Sequence, residues 1–136
     1  MPKLQHTIEQ GRAKQAFEHV QEALDEGKDT AKNYKSYVKK LPALIQTNGL
    51  GTAMAFVKSK GGGGSDGTAY QLLYDHISQW LFADTNAYLF DGSNVSGSDL
   101  VSHLVALDSD MYRAVTRETL LLLQWLRRLA DGMVDA

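Results

Sequence analysis

The chain has no cysteine. That excludes disulfides, zinc–thiolate centres, iron–sulfur clusters and a thiol nucleophile, and it fits a reducing, cytoplasmic setting. Long apolar runs are also missing. No stretch approaches the roughly 20 residues of a membrane span, and the opening MPKLQHTIEQ lacks the apolar core of a signal peptide, so no membrane partner is expected. Alternating apolar–polar runs of strand type are short, and no internal repeat is found. Proline occurs only at Pro2 and Pro42. Hydrophobic residues make up 43% of the 136, enough for one compact core and against global disorder.

What fills the chain is helical periodicity. Thr7 and Gln10 stand at capping-box spacing before Ala13, Ala16, Phe17, Val20 and Leu24, which share one face and lead to a stop at Gly27. A second helix opens near Asp29 or Thr30, with Tyr34, Tyr37, Val38 and Leu41 as its apolar side. Pro42 predicts a break, followed by a short helix over PALIQTN that stops at Asn48-Gly49. Leu50 to Lys60 predicts another helix, with Leu50, Met54 and Val57 on one side. GGGGSDG, residues 61–67, predicts a flexible loop within one all-helical domain spanning 1–136, and the helix after it restarts at Thr68. Residues 83–99 are turn-rich, and a short helix is expected over 100–107. A last helix, capped by Asp108 or Ser109, carries Val115, Thr119, Leu122, Leu123, Leu126 and Leu129 and ends at Gly132. The fold class is all-α, a compact bundle of about six helices.

Catalytic chemistry is not legible. KGGGGSDG lacks the Gly-Lys-Ser/Thr ending and the preceding strand of a phosphate loop. DGSNVSGSD, residues 91–99, lacks the alternating carboxylates and closing glutamate of a calcium loop. His6, His19, His76 and His103 form no i,i+3 or i,i+4 pair, so each defaults to the surface rather than to a metal site. Asp108 and Asp110 have a simpler use as helix-start carboxylates. Glu118, near Leu122 and Trp125 on the last helix, is expected to be partly buried and paired with a basic residue. No catalytic residue, metal or cofactor is assigned.

Charge is the informative feature. Net charge is −2, yet residues 28–60 hold Lys28, Lys32, Lys35, Lys39, Lys40, Lys58 and Lys60 against Asp29 alone. At about 100° per residue, Lys28, Lys32, Lys35 and Lys39 fall within about 60° of one another, away from the apolar side. A solvated helix face normally mixes its charges. A like-charged stripe without acidic partners one turn away is better explained by a polyanion. Arg113, Arg117 and Arg128 align with Gln124 as a second stripe on the last helix, equally open to phosphate and to internal ion pairs, with Asp110 and Glu118 near enough to neutralise part of it.

Two blocks carry a family resemblance: YKSYVKKLPALIQTNGLGTAMAFVKSK, Tyr34 to Lys60, and YRAVTRETLLLLQWLRRLAD, Tyr112 to Asp131. RAKQAFEHV and AYQLLYDHISQWL also match in place and spacing, whereas 61–67 and 83–107 do not. Together they resemble the small subunit of the type III-B CRISPR effector, the Cmr RNA-targeting complex. The resemblance implies an all-α, non-enzymatic subunit that stacks in more than one copy beside the backbone filament. Its implied partners are guide RNA and target RNA, met chiefly through phosphates, the backbone and large subunits, and other copies of itself. The lysines and arginines named above are then the candidate RNA contacts. A scaffold whose basic face meets partner proteins is the alternative.

Overall fold

A computed structural model describes residues 4–83, 86, 89 and 100–134, with side chains from Glu9 onward. Among them are six helices and no strand: α1 (Leu4–Asp25), α2 (Lys28–Asn48), α3 (Leu50–Lys60), α4 (Gly64–Leu81), α5 (Leu100–Leu104) and α6 (Ser109–Met133). The all-α reading holds. The expected polar loop over 91–99 lies outside the described residues.

One core joins all six helices. Ala16, Val20 and Ala23 of α1 meet Tyr34, Val38, Leu41 and Ile45 of α2, with Leu50, Met54 and Val57 from α3. Leu73 and Ile77 of α4, Leu100 and Leu104 of α5 and Leu122, Leu123 and Leu126 of α6 complete it. α2 lies against both α4 and α6, α1 packs on α6, and α3 packs on α4.

Several local signals act as read. Gly27 and Gly49 both take positive φ, 129° and 87°, which side chains rarely adopt. Asp108 caps α6, its carboxylate accepting from the Met111 backbone N–H at 2.9 Å. α3 has the expected bounds.

Four expectations are corrected. α1 begins at Leu4, so Thr7 is inside it and not at its start. Pro42 does not start a new helix; α2 runs through it from Lys28 to Asn48. An interior proline costs about 3 kcal/mol. Breaking at Leu41 would turn Ile45 off the apolar face, and each such large side chain is worth about 1.5–3 kcal/mol buried. Ile45 is buried and Leu44 packs against the core, so holding both in place beyond the proline offsets the missing N–H. Phe17 is 49% exposed; the buried line of α1 runs through Ala16, Val20 and Ala23 instead.

The glycine-rich stretch is also shorter as a loop than expected, because α4 starts at Gly64. Asp66 anchors that first turn. Its carboxylate accepts from Asn33 Nδ2 at 2.8 Å and from the Tyr37 hydroxyl at 3.1 Å, which ties α4 to α2, and a carboxylate suits a helix N-terminus. Gly67 belongs there sterically: a Cβ on it would sit 2.6 Å from the Gly62 backbone.

The α2–α3 turn is locked from outside. The Tyr112 hydroxyl on α6 accepts from the Gly51 N–H at 2.7 Å, a donor that lies in the first turn of α3 and has no partner within its own helix. A Cβ at Gly49 or Gly51 would stand 3.4 or 3.3 Å from that hydroxyl. Tyr112→Phe is expected to cost about 1 kcal/mol, the usual worth of one such hydrogen bond. Urea unfolding checks this; an unchanged midpoint rejects the lock.

Candidate nucleic-acid interface

The α2 lysine stripe exists, and its members are not equivalent. Lys28, Lys32, Lys39 and Lys40 are exposed. Lys35 is only partly so, and its ammonium donates to the Val134 carbonyl at 3.1 Å. Lys35 and Lys39 reach Asp131 Oδ1 at 3.9 and 3.0 Å. On α2 itself these lysines have no acidic neighbour but Asp29; the partner of Lys35 and Lys39 comes from α6. The hydrogen bond from Lys39, with both lysine charges nearby, holds the Asp131 carboxyl below its ordinary range.

Lys40 lies off the stripe. It lines a groove of about 490 Å³ between α2, α3 and α4, with Tyr37, Leu44, Phe56 and Tyr70 among its walls. Tyr37 and Tyr70 stack there at 3.8 Å between ring centroids. Lys58 Nζ stands 5.9 Å over the Tyr74 ring and Lys60 Nζ 5.5 Å over Phe56, both on the exposed end of α3.

Arg113, Arg117 and Arg128 are exposed on α6. Arg113 and Arg117 line a second groove of about 490 Å³ with Gly49, Leu50, Tyr112 and Gln124. Asp131 falls on this same side of α6, within about 60° of all three arginines at 100° per residue. α2 and α6 run antiparallel: Gly51 meets Tyr112 near one end and Lys35 meets Val134 near the other. The lysine and arginine stripes therefore meet at Asp131, an arrangement invisible to spacing within either helix.

Glu118 does not neutralise the arginine stripe. It is buried, and Arg12 grips it in a fork, Nε to Oε2 at 2.6 Å and Nη2 to Oε1 at 2.8 Å. The Trp80 indole N–H donates to the same Oε2 at 2.7 Å. Paired burial was expected; the partners, Arg12 and Trp80, could not be named from α6 alone.

Two histidines expected at the surface are buried. His76 donates from Nε2 to Glu22 Oε1 at 2.6 Å, which leaves Nδ1 to accept from the Tyr34 hydroxyl at 2.7 Å. His19 stacks on His76 at 4.0 Å with 12° between ring planes, and its Nε2 has no hydrogen-bonding partner among the described residues. Burial pushes His19 down to about 3 and His76 to about 4, and it raises the Tyr34 hydroxyl well above its ordinary value. His19, Glu22 and His76 bring ligand atoms within 4.8 Å of one another. Parallel rings aim their nitrogen lone pairs in separate planes, so the trio as placed is a hydrogen-bonded packing cluster and not a preformed chelate.

Comparison with known proteins gives a consistent match. The family described as CRISPR-associated protein (Cas_Cmr5) matches residues 8–133. The CRISPR system Cmr subunit Cmr5 of Thermus thermophilus is 28% identical over 125 residues, covering 90% of this chain and 92% of that protein. The crystal structure of a CRISPR-associated Cmr5 family protein from Thermus thermophilus superposes with a TM-score of 0.70 at 25% identity, over 99% of this chain and 100% of the other.

Proposed function

The chain belongs to the Cmr5 family, the small subunit of the type III-B Cmr complex of CRISPR defence, and from that premise we propose that it is a non-catalytic subunit holding guide and target RNA by their phosphates. The observation that carries this reading is the meeting of two basic stripes along the α2–α6 seam, in a chain of net charge −2. Lys28, Lys32 and Lys39 on one side and Arg113, Arg117 and Arg128 on the other form the contact surface. Lysines act as point charges and arginines as planar forks for phosphate oxygens. Each neutralised phosphate releases counterions, so binding is steeply salt-dependent and indifferent to sequence, which base pairing with the guide reads. Copies stack beside the backbone subunits within the cytoplasm.

The experiment is RNA retention by the assembled complex. Lys28→Glu, Lys32→Glu and Lys39→Glu together are expected to weaken it about tenfold or more at 0.1 M salt and to flatten the salt slope by about two to three units. Helix content by circular dichroism should be unchanged, because none of the three side chains is buried. Retention equal to wild type sinks the assignment.

The scaffold alternative draws on one observation: Lys35 and Lys39 already hold a protein carboxylate. RNA crosslinks that reach neighbouring subunits but never residues 28–60 favour it.

A further inference from the structure

Lys35 and Lys39 converge on one oxygen, Asp131 Oδ1, from one turn apart on α2. The carboxylate stands on the last turn of α6 with its side chain 46% exposed. We propose, resting on the RNA-holding reading above, that Lys35 and Lys39 form a single oxyanion seat, which Asp131 fills in cis and a backbone phosphate takes over when RNA binds.

The chemistry of the two occupants is alike. A carboxylate and a phosphodiester each present one negative charge on acceptor-only oxygens, and an ammonium donates to either without a fixed approach geometry. What differs is tethering. Asp131 belongs to an exposed ion pair, whose hold is weak and screened by salt. A phosphate brought by a strand that also contacts Lys32 and Arg128 arrives with its neighbours already bound, so it competes at high effective concentration. The Lys35 bond to the Val134 carbonyl keeps that ammonium aimed at the seat while the carboxylate leaves. Asp131 thereby raises the threshold for RNA: isolated anions fail to displace it, and a run of phosphates succeeds.

The test uses the full chain and a fluorescent RNA duplex, with anisotropy read between about 50 and 200 mM salt. Asp131→Asn is expected to tighten binding about two- to fivefold, the range of an exposed pair, with the log–log salt slope little changed, because the seat takes the same phosphate in both proteins. The gain should vanish when Lys35→Gln and Lys39→Gln are also present. Glu18→Gln, which removes one exposed negative charge from α1, outside both basic stripes, should give none. An equal gain in the lysine-free background, or with Glu18→Gln, overturns the seat and leaves only a general field effect. No gain from Asp131→Asn, while the Lys28/Lys32/Lys39 variant still weakens RNA, overturns the seat but leaves the RNA surface standing. If that triple variant binds RNA as wild type does, the seat and the reading beneath it fall together. Circular dichroism on each variant confirms that the helices are intact.

Discussion

Glu118→Ala is expected to destabilise the fold by about 3–5 kcal/mol, the cost of breaking a buried ion pair by removing one member. The Arg12 and Glu118 side chains are only 11% and 6% exposed. Truncation takes the carboxylate of the fork away from the Arg12 guanidinium in the seam between α1 and α6 and removes the acceptor of the Trp80 N–H. The same physics predicts the rescue. Arg12→Met with Glu118→Leu removes both charges and restores apolar contact, so it should recover most of the loss. The recovery stays incomplete by about 1–3 kcal/mol, because the indole N–H is still unmet; adding Trp80→Phe removes that donor but opens a cavity where the indole packs against Gly11. Urea unfolding of the four proteins checks the series. A single variant costing under about 1 kcal/mol, the range of surface pairs, would show the fork to be solvent-screened after all.

The contrast between Asp108 and Glu118 shows what the sequence could carry. Asp108 caps a helix three residues away, a relation fixed by helix geometry, and was readable without any fold. The ends of α3 and the left-handed turn at Gly49 were readable for the same reason. Glu118 answers to Arg12 and Trp80, 106 and 38 residues distant, and no spacing within α6 points to either. Pro42 and Gly64 fail in the opposite direction. Their local preference is clear, and it is overridden by the packing of Leu44 and Ile45 and by the bonds that Asn33 and Tyr37 make to Asp66. Phe17 was misplaced because it neighbours the true buried line, one residue from Ala16. The candidate interface divides likewise. Which lysines share a face follows from their own numbering; that Asp131 stands between two of them depends on how α2 meets α6.

Acidification is expected to weaken the fold well before its carboxylates titrate, because His19 and His76 are buried as neutral rings. Their folded values, about 3 and about 4, lie below the ordinary 6.5. The unfolded chain therefore binds more protons than the native one between those limits. Stability is full above about pH 6.5 and falls as pH drops, down to about 4 for the His76 contribution and about 3 for that of His19. At pH 5 each histidine should have cost about 2 kcal/mol relative to pH 7.5, about 4 kcal/mol for the pair. The groups facing the two rings do not reverse this. Glu22 accepts from His76 and favours the charged ring, but its side chain is 52% exposed, so solvent screens it. Tyr34 is a neutral hydroxyl, and the stacked rings repel each other once either is charged. The measurement is urea unfolding at pH 7.5, 6.5 and 5.0. His19→Leu sharpens it: the ring lost has no bond at Nε2, so the cost at pH 7.5 should be small, and about half of the pH dependence should vanish. A wild-type midpoint flat from pH 7.5 to 5.0, or a slope that His19→Leu leaves intact, would mean that the two rings take up protons as easily in the fold as in water.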